Sequence, residues 1–255
     1  VILRVETAEL FYPEISVELG KYTFKKGVEI EVYSSKDSYF DWAKVRFTRQ
    51  FKEKLSLDAK EKALIQLGYN GVFDDVFEGY ITKPYDSGGY MNEILLKDDM
   101  ILLEETTINN TFLDTTPQEI LSFCLAKAGV QKMKLSAAAY PAKARVPIFQ
   151  KNVISVINEI CAIWGIAEKF FFSGGVFYWG EKPEQTKIFS FEYGTNIITL
   201  NRPGGVWELE TVSAPFIKHS HIISVSHPQV SGEFEVKKVV FTTNEAGFIR
   251  TYIYF

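Results

Sequence analysis

Three histidines, two acid pairs and one serine in a glycine-rich stretch are the side chains of this chain whose types and spacing invite chemistry. His219 and His221 stand two apart, which puts both on one face of a strand, and His227 follows six later. With a carboxylate, such a set would suit a divalent metal. No Cys lies near and spacing fixes no fourth ligand, so ordinary surface or interface histidines are the better reading. Asp86-Ser87-Gly88-Gly89 has the composition of a nucleophilic serine beside a backbone oxyanion hole. All three histidines follow that serine, however, the reverse of a His, Asp, Ser order, so a turn is expected. Asp74-Asp75 and Asp98-Asp99 lack the spaced pattern of a calcium loop and also read as turns. A glycosidase needs two carboxylates across a cleft, and a pair such as Glu192 and Glu208 is open to that role without anything selecting it. No phosphate-binding glycine motif is present. No catalytic residue, cofactor or metal is therefore assigned.

Composition narrows the classes further. Across 255 residues, 28 Lys and Arg face 32 Asp and Glu, a formal charge of −4, which argues against a basic nucleic-acid grip. Lys25, Lys26, Lys44, Arg46, Arg49, Lys52 and Lys54, interleaved with Phe47 and Phe51, could form a stacking surface. They are mixed with acids, and a solvated strand face is the plainer reading. No apolar run reaches membrane-spanning length and no signal peptide is visible, so folding in a cytoplasm is expected. Cys124 and Cys161 sit in helix-like apolar patterns and read as small buried hydrophobes. The chain begins without Met and ends in mid-pattern at Tyr252-Ile253-Tyr254-Phe255, which reads as trimming from a longer product.

The elements that must position these residues are mainly strands. Val28 to Tyr33 alternates apolar and acidic residues, Trp42 to Thr48 alternates similarly, and Ile65 to Tyr69 follows. Asn70-Gly71 predicts a tight turn, Gly79 a bulge or corner, and Glu93–Leu96 and Met100–Glu104 two more strands. The period then changes. Thr116-Pro117-Gln118-Glu119 is a capping box opening a helix that Gly129 stops, and Asn152 opens a second that Gly165 ends. Ile166–Phe172 and Val176–Trp179 predict a hairpin through Ser173-Gly174-Gly175. From Lys187 strands return: Ile188–Tyr193, Asn196–Leu200, Val206–Val212, Ile222–Val225, Glu233–Thr242 and Phe248–Phe255. The fold class is mainly β with an α+β middle. Its expected domains are a first β-barrel over 1–112, a small helix-and-hairpin domain over 113–184 and a second β-barrel over 185–255.

That order of parts resembles the hub proteins of phage tails and contractile injection machines, the late control protein D-like family. The resemblance rests on Val32-Tyr33-Ser34-Ser35, Ile65-Gln66-Leu67-Gly68-Tyr69, Val76-Phe77-Glu78-Gly79-Tyr80-Ile81 and Thr116-Pro117-Gln118-Glu119-Ile120-Leu121. Ile163-Trp164-Gly165, the run Phe170 to Trp179, and Gly194-Thr195-Asn196-Ile197-Ile198 also carry it. It covers nearly the whole chain. It implies two tail-tube-like barrels per subunit and a homotrimeric ring of six barrels, a structural part that joins a sixfold tail tube to a threefold spike or tip. The implied partners are a tail tube protein above, a spike or tail-tip protein below, the tape measure protein, and DNA as passing cargo, with no stable membrane association. The implied location is the virion tail or baseplate, of a phage or prophage, assembled in the bacterial host cytoplasm. A slightly acidic bore would let DNA slide. The alternative reading is a tail-associated cell-wall-degrading enzyme, a peptidase or glycan hydrolase; a third is a carbohydrate-binding module.

Overall fold

The computed structural model describes residues 4–6, 13–48, 54–86, 93–244 and 248–255. The chain divides into two compact units, one formed by Val1–Asp98 with Pro183–Phe255 and the other by Asp99–Lys182. The first segment of unit 1 carries β1 (Arg4–Glu6), β2 (Pro13–Leu19), β3 (Tyr22–Phe24), β4 (Val28–Ser35), β5 (Trp42–Phe47), β6 (Ser56–Leu57), β7 (Lys62–Tyr69), β8 (Val72–Ile81), β9 (Tyr85–Asp86) and β10 (Glu93–Lys97). Unit 2 carries α1 (Met100–Glu105), β11 (Thr107–Thr115), α2 (Pro117–Lys127), β12 (Met133–Leu135), β13 (Lys143–Asn152), α3 (Val153–Trp164), β14 (Phe170–Ser173) and β15 (Val176–Trp179). The chain then returns to unit 1 through β16 (Lys187–Glu192), β17 (Ile197–Asn201), β18 (Glu208–Val212), β19 (Ile222–His227), β20 (Val230–Glu235), β21 (Lys238–Thr243) and β22 (Ile249–Tyr254).

Unit 1 is built on one 11-stranded sheet of order β17-β18-β22-β21-β4-β5-β10-β8-β7-β2-β3, accompanied by a four-stranded sheet β1-β16-β19-β20. The two β segments, distant in sequence, meet where β21 pairs antiparallel with β4 from Thr242↔Glu31 to Lys238↔Ser35. The strands read from the sequence form because alternation lets one face bury Ile30, Val32, Val45, Leu96, Val239 and Ile253 while the other stays polar. Asn70 and Gly71 both take positive φ in the β7–β8 turn, the backbone that an Asn-Gly pair adopts at low cost. At Gly79 a Cβ would stand 2.2 Å from the Lys97 carbonyl oxygen, so β8 and the end of β10 approach more closely than any side chain permits.

Unit 2 packs α2 and α3 with the β11–β13 ribbon, and Ile120, Leu121, Leu125, Ile148, Val156 and Ile160 are wholly buried. The capping box forms: Glu119 accepts from the Thr116 backbone N–H at 2.8 Å. Gly129 and Gly165 take the left-handed conformation that lets each helix stop, and the Asn152 side chain accepts from the Ser155 N–H at 2.9 Å.

Four readings are corrected. Asp74 and Asp75 do not form a turn but lie within β8, beside a bulge where Gln66 donates to Asp75 at 2.7 Å. Met100–Glu104 is helix rather than strand, because six residues are too few for an apolar run to reveal its period. Glu233–Thr242 is two strands, β20 and β21, broken at Val236-Lys237. Of Ile166–Phe172, only residues from Phe170 are strand.

Candidate functional site

Among the described residues, the polar face of the 11-stranded sheet carries an extended array of aromatic and charged side chains. Strand pairing alone aligns one row across nine strands: Thr199↔Glu210↔Tyr252↔Val240↔Tyr33↔Trp42↔Lys97↔Tyr80↔Lys62. All sit on the face opposite the core, since alternate residues of each strand point the same way. Tyr33 and Trp42 stack with ring centres 5.2 Å apart and planes within 4°, across the β4–β5 pair. The row thus passes without a break through the β4–β21 pairing.

Cations cap these rings. Lys238 Nζ lies 3.5 Å from the centre of the Tyr254 ring and 5.5 Å from that of Tyr33, and Lys44 Nζ is 5.1 Å from that of Trp42. Partial burial lowers the Lys238 ammonium's pKa, and burial followed by its hydrogen bond with Glu208 raises that of the Tyr254 phenol. Neighbouring charges are matched in pairs: Arg46 to Glu93 at 2.7 Å, Arg250 to Glu210 at 3.5 Å and Lys44 to Glu31 at 3.9 Å. These three pairs place Glu93, Glu210 and Glu31 each beside a cation on a neighbouring strand.

The ends of the sheet differ. Among the described residues β17 has no further strand beyond it, and its sequence Ile197-Ile198-Thr199-Leu200-Asn201 carries none of the Lys, Pro or acidic residues that blunt an edge. Tyr193, Ile198 and Val212 are exposed around it. At the opposite end, β3 is flanked by Lys21, Lys25 and Lys26. In unit 2, Leu113 and Phe149 are exposed on the β11–β13 ribbon.

The structure separates the other sequence candidates. His219 and His221 are not on a strand and not at the surface: both are buried in the irregular segment before β19, where Ser220 takes φ 66°. The His221 Nδ1 accepts from the Lys218 N–H at 3.3 Å, and burial pushes its pKa down to about 4. His227 ends β19 and packs edge-on against Tyr193. Among the described residues no three His, Cys, Asp or Glu side chains cluster to hold a metal. Glu192 and Glu208 lie on different sheets. Asp98 is buried and Asp99 precedes α1. Arg49, Phe51, Lys52 and Ser87-Gly88-Gly89 lie outside the described residues, whereas Phe47 packs inward on Phe24 at 5.2 Å. Cys124 is buried in the core as expected, and burial drives its thiol up to about 12, whereas Cys161 is only half-buried, with its thiol raised by partial burial. No helix among the described residues is long and apolar enough to cross a membrane. The row itself is absent from the sequence reading, although Tyr33, Trp42 and Tyr252 stand on predicted strands; only register brings them together.

Three solved structures share this fold. The 43 kDa tail protein of prophage MuSo2 from Shewanella oneidensis aligns over 96% of this chain and 98% of its own, with a TM-score of 0.73 at 11% identity. The tail protein from Neisseria meningitidis MC58 aligns over 96% of both chains, at 0.71 and 9%. The E. coli c3393 protein is a component of the type VI secretion system with structural similarity to the T4 bacteriophage tail proteins gp27 and gp5. It aligns over 93% of this chain and 75% of its own, at 0.67 and 12%. No family model matches the chain. A 32% identical stretch of 92 residues is shared with the cytoplasmic NADP isocitrate dehydrogenase of Saccharomyces cerevisiae, of whose length the chain spans 22%. The fold is thus mainly β with an α+β middle, the fold of phage tail proteins.

Proposed function

We propose that this protein is a structural component of a phage-tail or baseplate assembly: a hub in which three copies form a closed ring. The observation that carries this is likeness to a prophage tail protein over nearly the whole of both chains. In this reading the two β segments of unit 1, 1–98 and 183–255, are two tube-like barrels joined through the β4–β21 pairing, and 99–182 is the small domain inserted between them in the chain. Three copies then present six similar barrels, which matches a sixfold tail tube on one side and a threefold spike or tip on the other. The unblunted β17 edge, with Ile198 and Val212 exposed, is where the next copy of this chain docks. The polar sheet face lines the bore. Its matched charges, more than a net acidity, keep DNA from sticking, and a tape measure protein is the other passing or anchored occupant.

Negative-stain images of the purified chain test this reading: closed rings with threefold symmetry support it, and isolated compact particles at all concentrations refute it. Hydrolysis of peptidoglycan abolished by one carboxylate substitution would instead establish a tail-associated enzyme.

A further inference from the structure

A pocket at one end of the unit 1 sheet has no part in the assembly reading. Its volume is about 480 Å³, within the roughly 300–1,000 Å³ typical of sites that hold small molecules. The ends of four strands wall it: β2 contributes Ile15, β4 Val28, β8 Phe73 and β22 Ile249. In the order of the 11-stranded sheet, β2 and β8 stand several places away from β4 and β22, so a cavity shared by all four means that the sheet curls around it. The Tyr69 hydroxyl, which donates to the Ser213 carbonyl at 2.6 Å, ties the end of β7 to the segment after β18 across the same curl. Val28 and Ile249 are buried and Ile15 and Phe73 half-buried, which gives the pocket an apolar floor. Its rim is charged. Lys25 and Lys26, in the connection between β3 and β4, are exposed and make no ion pair among the described residues, and Glu14 is the carboxylate on the same rim.

We propose that this pocket binds a single carboxylate carried on an apolar body, the chemistry shared by a medium-chain fatty acid and by the C-terminal apolar residue of a peptide. The body leaves water against Ile15, Val28, Phe73 and Ile249, and this burial supplies most of the affinity. The carboxylate stays at the rim, where the Lys25 and Lys26 ammonium groups can donate charge-assisted hydrogen bonds to it. Two cations against Glu14 leave the rim one positive charge in excess, which matches one carboxylate better than the double charge of a phosphate monoester. Because the lysines are solvated, they set selectivity for the sign of the head group more than they set affinity. The walls are pinned by bonds within the protein. The Thr243 hydroxyl accepts from the Ile30 N–H at 2.9 Å, the Thr48 N–H donates to the Gly27 carbonyl at 3.1 Å, and the Asn244 side chain accepts from the Phe248 N–H at 3.1 Å. A pocket held open in this way spends little of its binding energy on ordering itself. The site does not depend on how many copies assemble.

Titration calorimetry of the purified chain with octanoate, octanol and octylammonium, which share one apolar body and differ in the head, tests the site. Octanoate should bind one to one and tightest, octanol more weakly and octylammonium weakest. The double variant Lys25→Glu, Lys26→Glu changes only exposed side chains; it should lose about tenfold in octanoate affinity while that for octanol holds. The tripeptide Gly-Gly-Phe and its C-terminal amide separate the two sources of the carboxylate. Binding of the free acid but not of the amide supports a peptide terminus as the occupant, and binding of octanoate alone supports a free acid. Absence of binding by both octanoate and the tripeptide acid would overturn the proposal. So would equal affinity for octanoate and octylammonium in the wild type, a comparison that needs no variant to fold, or octanoate affinity unmoved in the double variant.

Discussion

Gly79 and Gly71 separate two reasons for a glycine. A Cβ on Gly79 would meet the Lys97 carbonyl at 2.2 Å and the Asp98 Cα at 3.0 Å, both backbone, whereas a Cβ on Gly71 meets nothing within 4 Å. Gly79→Ala should cost about 2 kcal/mol or more through overpacking, and Gly71→Ala about 1 kcal/mol through left-handed strain, read from urea midpoints. Equal costs would contradict the close approach. His221 gives a pH signature of its own. Its folded pKa is depressed by burial to about 4, so its contribution is whole above the unfolded value near 6.5 and is lost as pH falls through the folded one. Thermal stability should therefore drop between pH 6.5 and 4, and His221→Gln should flatten that drop; an unchanged profile in the variant would remove His221 as its cause. The Asn70-Gly71 turn is legible in the sequence and Gly79 stands out there as a bulge or corner, but its approach to Lys97 and the burial of His221 are not. The two-residue spacing of His219 and His221 suits a strand equally well, and only the turn at Ser220 and the fold around it bury both rings.

Elements with local signals were readable, and elements held by distant partners were not. Helices α2 and α3 announce themselves by caps, and Glu119→Ala should lower stability by about 1 kcal/mol because both the Thr116 N–H and its hydroxyl lose their acceptor. A melting temperature unmoved by that change would show the box to be idle. By contrast β11 and β13, Thr-Ile-Asn-Asn-Thr-Phe-Leu-Asp-Thr and its partner, lack clean alternation. They become a ribbon only by pairing with each other and packing on the helices. Acids inside β8 mislead for the same reason: Asp75 is tolerated there because Gln66 on β7 meets it. The edge strand β17 carries the element-scale prediction for assembly. Ile198→Lys supplies the charge that natural edges use, and it should leave the circular dichroism spectrum and melting temperature intact while shifting the purified chain toward a single copy. Retention of full assembly would exclude β17 as the contact.

At the scale of the whole molecule, the order of a β segment, a small helical unit and a second β segment was visible from changes of period along the chain. The joining of the two β segments in one sheet was not, because β4 and β21 lie some 200 residues apart and either could have met another edge. Unit 2 has its own buried core from both helices and the ribbon, so residues 99–182 expressed alone should fold and melt cooperatively; an unfolded fragment would show that its core needs the rest of the chain. The central claim is assembly into a closed ring of three. Light scattering on the purified chain measures it most directly: a mass of about 87 kDa, three copies of the 29.1 kDa chain, is the predicted result. A mass of 29.1 kDa at every concentration would contradict it.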